Sequence, residues 1–269
     1  MKLHFLASAK ESQQMMSFII EQNGHYILID GGWVDDGPYL LQYLKELQNT
    51  KTPHLDAIFF THCHHDHVGA FCYLVERHWG EFTFDKVYYN FPSVQYVAAE
   101  GRRAKAKEFY ALLPRFIDKA VIVFGGDWYE VAGLRFEILS SPSFDIRDNV
   151  GNNSSVAFRV HTGKSSILFL GDSGIEAGRK LVAQYGANLK SDYCQMAHHG
   201  QNGVEEEVYQ YVRPHTCLWC TPLWLWDNDA GQGFNTHEWQ TVIVRGWMEK
   251  LGVKTHYVSK DGTQVIDIP

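Results

Sequence analysis

Short apolar runs alternate with polar turns along the whole chain, and the spacing of the apolar residues changes from strand-like to helical and back. Three strands are predicted at residues 2–8, 17–23 and 25–30, with Asn23-Gly24 as the hairpin turn between the last two. We expect the first of them to be an edge strand. Further strands are predicted at residues 57–61, 86–91, 121–124, 128–131, 134–140, 155–161, 167–170, 193–197, 216–220, 255–259 and 263–268. Helices are predicted at residues 36–49, from a His-rich loop to about residue 79, and at 94–116, 175–185, 204–212 and 237–251.

Strand–loop–helix units recur in both halves of this pattern, and no segment rich in Pro, Gly and Ser separates the halves. Two mixed sheets packed face to face, each covered outside by helices, would bury all of these apolar faces. The sequence therefore predicts an α+β fold, a four-layer αβ/βα sandwich, formed as one domain over residues 1–269.

Composition narrows the class of protein. The 269 residues have a formal charge of −7, which gives no overall attraction for nucleic acid or an anionic membrane. No apolar run reaches the length of a membrane span, and the start of the chain has too short an apolar stretch for a signal peptide. We therefore expect a cytoplasmic protein. Its five cysteines include Cys217-x-x-Cys220, which without a second such pair is predicted to be two buried thiols and not a zinc site.

One segment carries dense metal-binding chemistry directly after the strand at residues 57–61. It reads T-H-C-H-H-D-H-V-G-A from residue 61 to residue 70. His62 and His64 point the same way along an extended chain, so both imidazoles can hold one ion. Asp66 and His67 then fall in the first turn of a helix, where they can reach a second ion. This set of ligands suits Zn, and also Fe or Mn; the alternative is a surface cluster of histidines.

The pattern T-H-x-H-x-D-H-x-G resembles the signature of the metallo-β-lactamase-like hydrolases. The resemblance implies that Asp30, in Asp30-Gly31-Gly32, orients a ligand histidine, and that Asp172 bridges two ions. The alternatives are an ordinary turn residue for Asp30 and a helix N-cap for Asp172. A late histidine ligand is matched by either His198 or His199, and His198 is preferred because it comes straight off the preceding strand.

Many members of that family have a further histidine before the strand pair that leads to the bridging aspartate. Here Asn152 and Asn153 occupy that stretch. We therefore expect a weaker first ion position, with an Asn amide as an alternative ligand. The order of these segments resembles a subgroup that includes the β-lactamase-like domain of bacterial competence DNA-uptake channel proteins. In that subgroup an N-x-x-H-P segment precedes the last helix, and His237 is its counterpart here, although Glu238 replaces the proline.

The resemblance implies a metal-dependent hydrolase with one or two Zn ions, or Mn or Fe. A metal-bound water with its pKa lowered to about 7 attacks a carbonyl or phosphoryl centre. Asp66 orients that water, and His237 protonates the leaving group or stabilises developing charge. A small-molecule or phosphodiester substrate is expected, the phosphodiester being preferred on the subgroup likeness alone. The alternatives are a lactone or thioester hydrolase, a metal-dependent redox protein, or an interaction protein without catalysis.

Two other stretches bear on partners. The basic residues of the stretch after Gly101 spread around a predicted helix, which favours a solvated surface over a nucleic-acid face; they are Arg102, Arg103, Lys105 and Lys107. The Trp-rich stretch at residues 219–226 is predicted either to wall the metal site or to combine a core strand with a subunit interface. Nucleic acid as a partner and a homo-oligomeric state therefore stay open, and no membrane partner is expected.

Overall fold

Fourteen short strands pair into two seven-stranded sheets in the computed structural model, which describes residues 1–98, 101 and 104–269. The strands are β1 Lys2–Phe5, β2 Phe18–Gln22, β3 His25–Ile29, β4 His54–Phe59, β5 Thr83–Tyr89, β6 Ala120–Ile122, β7 Trp128–Val131, β8 Leu134–Ile138, β9 Phe158–His161, β10 Ser166–Phe169, β11 Tyr193–Gln195, β12 Thr216–Trp219, β13 Thr255–Val258 and β14 Gln264–Asp267. The helices are α1 Gly37–Leu47, α2 His65–Arg77, α3 Ala106–Leu112, α4 Ile175–Tyr185, α5 Glu206–Val212, α6 Leu223–Trp226 and α7 Thr241–Lys250.

The two sheets share one pattern of strand directions. The first sheet has the order β14-β1-β2-β3-β4-β5-β6, antiparallel as far as β3 and parallel from β3 to β6. The second has the order β7-β8-β9-β10-β11-β12-β13, antiparallel as far as β10 and parallel beyond it. The carboxyl ends of parallel strands meet at one edge of a sheet, so each sheet collects the loops that follow its parallel strands.

Three apolar layers hold the sandwich together. Between the sheets, Phe59 of β4 stacks on Phe136 of β8 with ring centroids 4.2 Å apart. Outside the first sheet, Phe71 of α2 packs with Phe109 of α3; outside the second, helices α4, α5 and α7 cover the strands. Burying each such aromatic side chain contributes roughly 1.5–3 kcal/mol. The predicted four-layer sandwich is therefore confirmed.

Several predicted elements are wrong in position. The first strand is no edge strand, because β1 lies between β14 and β2. Within the predicted helix at residues 94–116, the described residues form an α-helix only at α3, which a short 3-10 helix at Leu113–Arg115 follows; Arg102 and Arg103 of the basic stretch lie outside the described residues. The last helix begins at Thr241 and not at residue 237, because the backbone N–H of His237 is bound to the carbonyl of Asn228 in a loop.

The cysteines behave as predicted, since all five are buried free thiols. Burial raises the pKa of Cys217 to about 12, so this thiol stays protonated at neutral pH. In the described part of the chain, no helix combines the length and apolar character needed to cross a membrane.

Candidate metal centre

The turn after β3 sets the first part of the site. Asp30 has a positive φ of 51°, and its carboxylate accepts hydrogen bonds from the Thr61 backbone at 2.9 Å and the Thr61 hydroxyl at 2.7 Å. The same carboxylate lies 2.8 Å from Nδ1 of His67. A carboxylate on Nδ1 fixes the tautomer of the ring and leaves Nε2 as the ligand atom. Asp30 therefore holds the ring of His67, and its role in orienting a metal ligand stays a prediction.

The start of α2 packs closely against the turn that follows β3. A Cβ on Gly69 would lie 2.7 Å from the backbone nitrogen of Val34, so only glycine allows the helix this close. The Ala70 N–H donates to the carbonyl of Gly32, which ties the two segments together. The close packing brings Asp66 and His67, in the first turn of α2, to the carboxyl end of β4 where His62 lies.

Asp172 enters from the second sheet, just past the end of β10. Gly171 before it has φ of +56°, and a Cβ there would lie 2.7 Å from Cβ of Thr61. The Asp172 backbone N–H donates to the hydroxyl of Ser155 at 3.0 Å. These contacts hold the buried Asp172 carboxylate between the histidines of the first sheet, 3.7 Å from His62 Nε2 and 3.3 Å from His67 Nε2.

The late histidine pair corrects one prediction, because His199 and not His198 reaches the centre. Strand β11 ends at Gln195, and both histidines then adopt left-handed backbone angles, with φ of 50° and 57°. His199 Nε2 lies 3.2 Å from Asp66 Oδ2 and 3.5 Å from Asp172 Oδ2. Its Nδ1 is held 3.0 Å from the carbonyl of Cys220. The strand end assumed for His198 is absent, and the left-handed turn directs the next residue inward.

His198 faces the cleft instead. Its Nδ1 lies 3.1 Å from the carbonyl of Asn202, and its Nε2 lies 3.3 Å from the amide nitrogen of Asn152 and 4.0 Å from Asp172 Oδ2. A ring with Nδ1–H bound to a carbonyl accepts at Nε2, which matches the amide donor. Burial lowers the pKa of His198, which favours this neutral form.

The ligand atoms form two groups that share Asp172, each with all atoms within 4.8 Å of one another. The first is His62, His64 and Asp172; the second is Asp66, His67, Asp172 and His199. Several of these buried atoms make no hydrogen bond to any described residue, namely Nε2 of His62, His67 and His199 and Oδ1 of Asp172. Buried polar atoms left unpaired are costly, and a metal ion satisfies them. Imidazole and carboxylate donors at these separations fit one or two ions such as Zn, Mn or Fe.

The electrostatics of the centre are those of tightly paired acids and bases. Burial opposes charge on His67, yet Asp172 and Asp30 raise its pKa well above the usual range. Burial also opposes charge on His199, and Asp172 and Asp66 raise its pKa to about 9. Burial alone would raise the pKa of Asp66 and of Asp172, but the neighbouring His67 and His199 hold both pKa values well below normal. Because metal ligands must be deprotonated, an ion entering the centre displaces the imidazole protons.

The two asparagines have different surroundings. Asn152 is buried and lines the cleft beside His198, its amide nitrogen donates to Asn149 at 3.0 Å, and its Oδ1 has no hydrogen-bond partner among the described residues. Asn153 points away, and its Oδ1 accepts from the backbone N–H groups of Gly174 and Ala177 at the start of α4. Asn152 is therefore the only one of the two placed to contribute an amide oxygen, and Asn153 caps a helix.

An open cleft of about 480 Å³ leads to the centre. Its lining includes Asp66, Asp172 and His198 together with residues that the sequence patterns did not single out, chiefly Gln14, Trp33, Gln201, Asn202 and Trp239. Gln14 donates to Asp66 Oδ2 at 3.0 Å and so helps to fix that carboxylate. Trp33 directly follows Asp30-Gly31-Gly32, and this position is the one signal that could have pointed to it.

The Trp-rich stretch divides between the two predicted roles. Trp219 is fully buried in the outer core of the second sheet, whereas Trp224 of α6 lines the cleft. His237 stacks on Trp239 with ring centroids 3.7 Å apart, and it is absent from the described cleft lining, which Trp239 and Glu238 reach. Its assignment as a proton donor stays a prediction.

Comparison with known proteins agrees with this geometry. The family model described as the metallo-beta-lactamase superfamily matches residues 13–202. Among solved structures, the metallo-beta-lactamase fold protein YhfI from Bacillus subtilis is 11% identical, with a TM-score of 0.59 and 99% of both chains covered. Zn(2+)-bound PqqB from Methylobacterium extorquens is 14% identical, with a TM-score of 0.57 and 100% of both chains covered.

A third solved structure, CmlA, a diiron beta-hydroxylase from Streptomyces venezuelae, is 12% identical with a TM-score of 0.59. That match covers 99% of this chain and 54% of the other. At these identities the likeness is one of fold. No curated protein matches the sequence.

Proposed function

The chain belongs to the metallo-β-lactamase superfamily, and we propose that it is a metal-dependent hydrolase acting at the buried His/Asp centre. The observation that carries this proposal is the pair of ligand groups that share Asp172 at the base of an open cleft. A centre built only to stabilise the fold would be closed, whereas a catalytic one leaves a position for substrate.

In this proposal some residues of the centre would hold ions, and others would contact the water or the substrate. A Zn, Mn or Fe ion held there supplies Lewis acidity and lowers the pKa of water towards neutrality. Asp66 is fixed by Gln14, so its carboxylate is placed to accept a hydrogen bond from the attacking water. His198 lines the cleft with its Nε2 bound to the Asn152 amide, and a substrate that displaces this amide would meet Nε2 as a proton or hydrogen-bond acceptor.

The substrate proposal has two parts. The subgroup likeness in the sequence favours a phosphodiester, while esters, lactones and thioesters are the carbonyl alternatives. Among the cleft-lining residues that the structure describes, none is Lys or Arg. A phosphodiester would therefore depend on the ions alone for charge neutralisation, and we place uncharged esters and lactones first.

The test is turnover by protein loaded separately with Zn, Mn and Fe after chelator treatment. The substrates are an aryl ester, an aryl lactone and bis(4-nitrophenyl) phosphate, and Asp172→Ala is the inactive control. We expect ester or lactone hydrolysis that chelation abolishes and metal restores. Hydrolysis that persists in Asp172→Ala, or the absence of turnover with every metal, would refute the proposal.

A second candidate function, metal-dependent redox chemistry, has one observation in its favour. His62, His64 and Asp172 form a set of two histidines and one carboxylate, which suits non-haem iron. A diiron beta-hydroxylase also shares the fold. If iron-loaded protein consumes O₂ with a reductant while no metal supports hydrolysis, this candidate replaces the first.

A further inference from the structure

The cleft has aromatic walls that come from both halves of the molecule. Trp33 comes from the loop after β3, in the half built on the first sheet. Trp224 and Trp239 come from α6 and from the loop before α7, in the other half. None of the three belongs to the ligand groups, and all three line the same cavity of about 480 Å³. The cavity therefore offers flat apolar surface beside the metal centre.

These indole rings are held in position by the protein itself. Trp33 donates from its indole N–H to the carbonyl of Gln14, its backbone N–H donates to Asp36 at 3.0 Å, and its ring packs on His65. The Trp239 ring packs against two other rings, with centroid distances of 3.7 Å to His237 and 4.9 Å to Trp224. A wall that is fixed before binding loses little side-chain entropy when a ligand arrives.

The loop that carries Trp239 is tied down at both ends. The Gln240 backbone N–H donates to Asn202 at 2.9 Å. Asn228 is buried, and its amide donates to the side chain of Asn235 at 2.7 Å and to the carbonyl of His237 at 2.8 Å. The position of Trp239 in the cleft is therefore built into the loop.

The charge beside these rings is negative. Glu238 is exposed, lines the cleft next to Trp239, and takes part in no ion pair with the described residues. The other carboxylates of the lining, Asp66 and Asp172, belong to the ligand groups and would be neutralised by ions. A carboxylate next to aromatic faces favours a cation and repels an anion.

We propose that the cleft binds a substrate whose non-reacting end is a flat aromatic or ammonium-bearing group, with the Trp faces as its platform and Glu238 as its counter-charge. The inference rests on the proposed function for the reacting end, which lies at the metal centre. It names the substrate class as neutral or cationic aryl esters and lactones, and it excludes substrates that are anionic at the non-reacting end.

Binding is measured first with probes that contain no bond to hydrolyse. Benzyltrimethylammonium, benzyl alcohol and phenylmethanesulfonate share one ring and differ in charge, and their affinities for the purified protein are measured by calorimetry and tryptophan fluorescence. We expect the cation to bind tightest and the sulfonate weakest. Glu238→Gln should lower the affinity for the cation about threefold to tenfold and leave the affinity for benzyl alcohol unchanged.

The aromatic wall has its own variant. Trp239→Ala should lower the affinities for the cation and for benzyl alcohol together, because both probes pack on the face of this indole ring. The matched controls are Glu207→Gln and Trp79→Ala, which remove an exposed carboxylate and a half-exposed indole outside the cleft lining. Sulfonate binding as tight as the cation, or Glu238→Gln and Glu207→Gln with the same effect, would overturn the inference.

Turnover then separates this inference from the proposed function. Metal-loaded protein is given aryl esters that carry a trimethylammonium, a methyl or a sulfonate group at the far end of the ring. Hydrolysis in the order cation, neutral, anion supports both proposals, whereas hydrolysis that favours the sulfonate refutes the substrate class alone. If the probes bind as expected but no ester is cleaved with any metal, the hydrolase proposal fails and the binding site stands.

Discussion

The two ligand groups of the centre differ in how many ligand side chains they contain. In the second group, His67 is fixed by Asp30, His199 by the carbonyl of Cys220, and Asp66 by Gln14. The first group has two imidazoles and the shared Asp172, and Asn152, whose Oδ1 has no hydrogen-bond partner among the described residues, lines the same cleft. An amide is a weaker donor than imidazole for borderline-soft ions. We therefore expect the two adjacent ion positions to differ in affinity, because the first group has one ligand fewer than the second.

Removing the shared ligand should have the largest effect. Asp172→Ala takes a carboxylate from both groups, so we expect loss of bound metal and of detectable turnover. His62→Ala should also abolish turnover while sparing the second group. Elemental analysis and activity are the measurements, with Cys217→Ala as the control because that buried thiol lies in the core. If Cys217→Ala also lost its metal, the site would be misplaced.

The histidine pair gives the next largest effect. His199→Ala removes a ligand from the second group only, so we expect the protein to keep at most the first ion and to lose turnover. His198→Ala should keep the metal content of the wild type and reduce turnover, because this ring faces the cleft. Metal content after gel filtration decides between them. Normal metal content in His199→Ala together with loss in His198→Ala would reverse the assignment.

A smaller effect is expected from the residue that orients His67. Asp30→Asn keeps the size of the side chain but weakens its bond to the imidazole, and such changes cost about 10–100-fold in metal affinity. Competition with a chromogenic chelator measures this, and thermal unfolding of the metal-free variant reports any structural cost. An affinity unchanged from the wild type would show that His67 needs no help from Asp30.

The smallest expected effect tests the asymmetry directly. A mild chelator should remove the first ion of the wild type before the second, and Asn152→His should slow that loss by supplying an imidazole. Asn153→His should leave metal retention unchanged and lower stability by about 1 kcal/mol, because it removes the cap of α4. Two equally tight ions in the wild type, unaffected by Asn152→His, would contradict the asymmetry.

The sequence predicts the parts of the centre whose residues are neighbours along the chain, and it does not predict the parts that depend on tertiary contacts. His62, His64, Asp66 and His67 follow one another at a strand end and a helix start, so their spacing alone brings them together. The choice between His198 and His199 depended on a left-handed turn that short-range spacing does not reveal.

The residue that follows this turn, Gly200, is constrained by a tertiary contact. A Cβ on Gly200 would lie 2.3 Å from the ring of Trp219, so the chain passes close under a side chain from another strand. The cleft walls escaped prediction for a related reason. The indole of Trp33 is bound to the carbonyl of Gln14, and the loop that carries Trp239 is bound to Asn202; both partners are distant in sequence.

The pairing of β1 with β14 has a consequence for how the chain folds during synthesis. Leu3 pairs with Ile266, and the backbones of Met1 and Ile268 exchange hydrogen bonds beyond them. Until β14 leaves the ribosome, β1 is an open edge, and unpaired edges are where nascent chains associate wrongly. All ligands up to His199 emerge earlier, so an ion can bind before the first sheet is complete. Metal supply during translation would then influence the yield of folded protein as well as its activity.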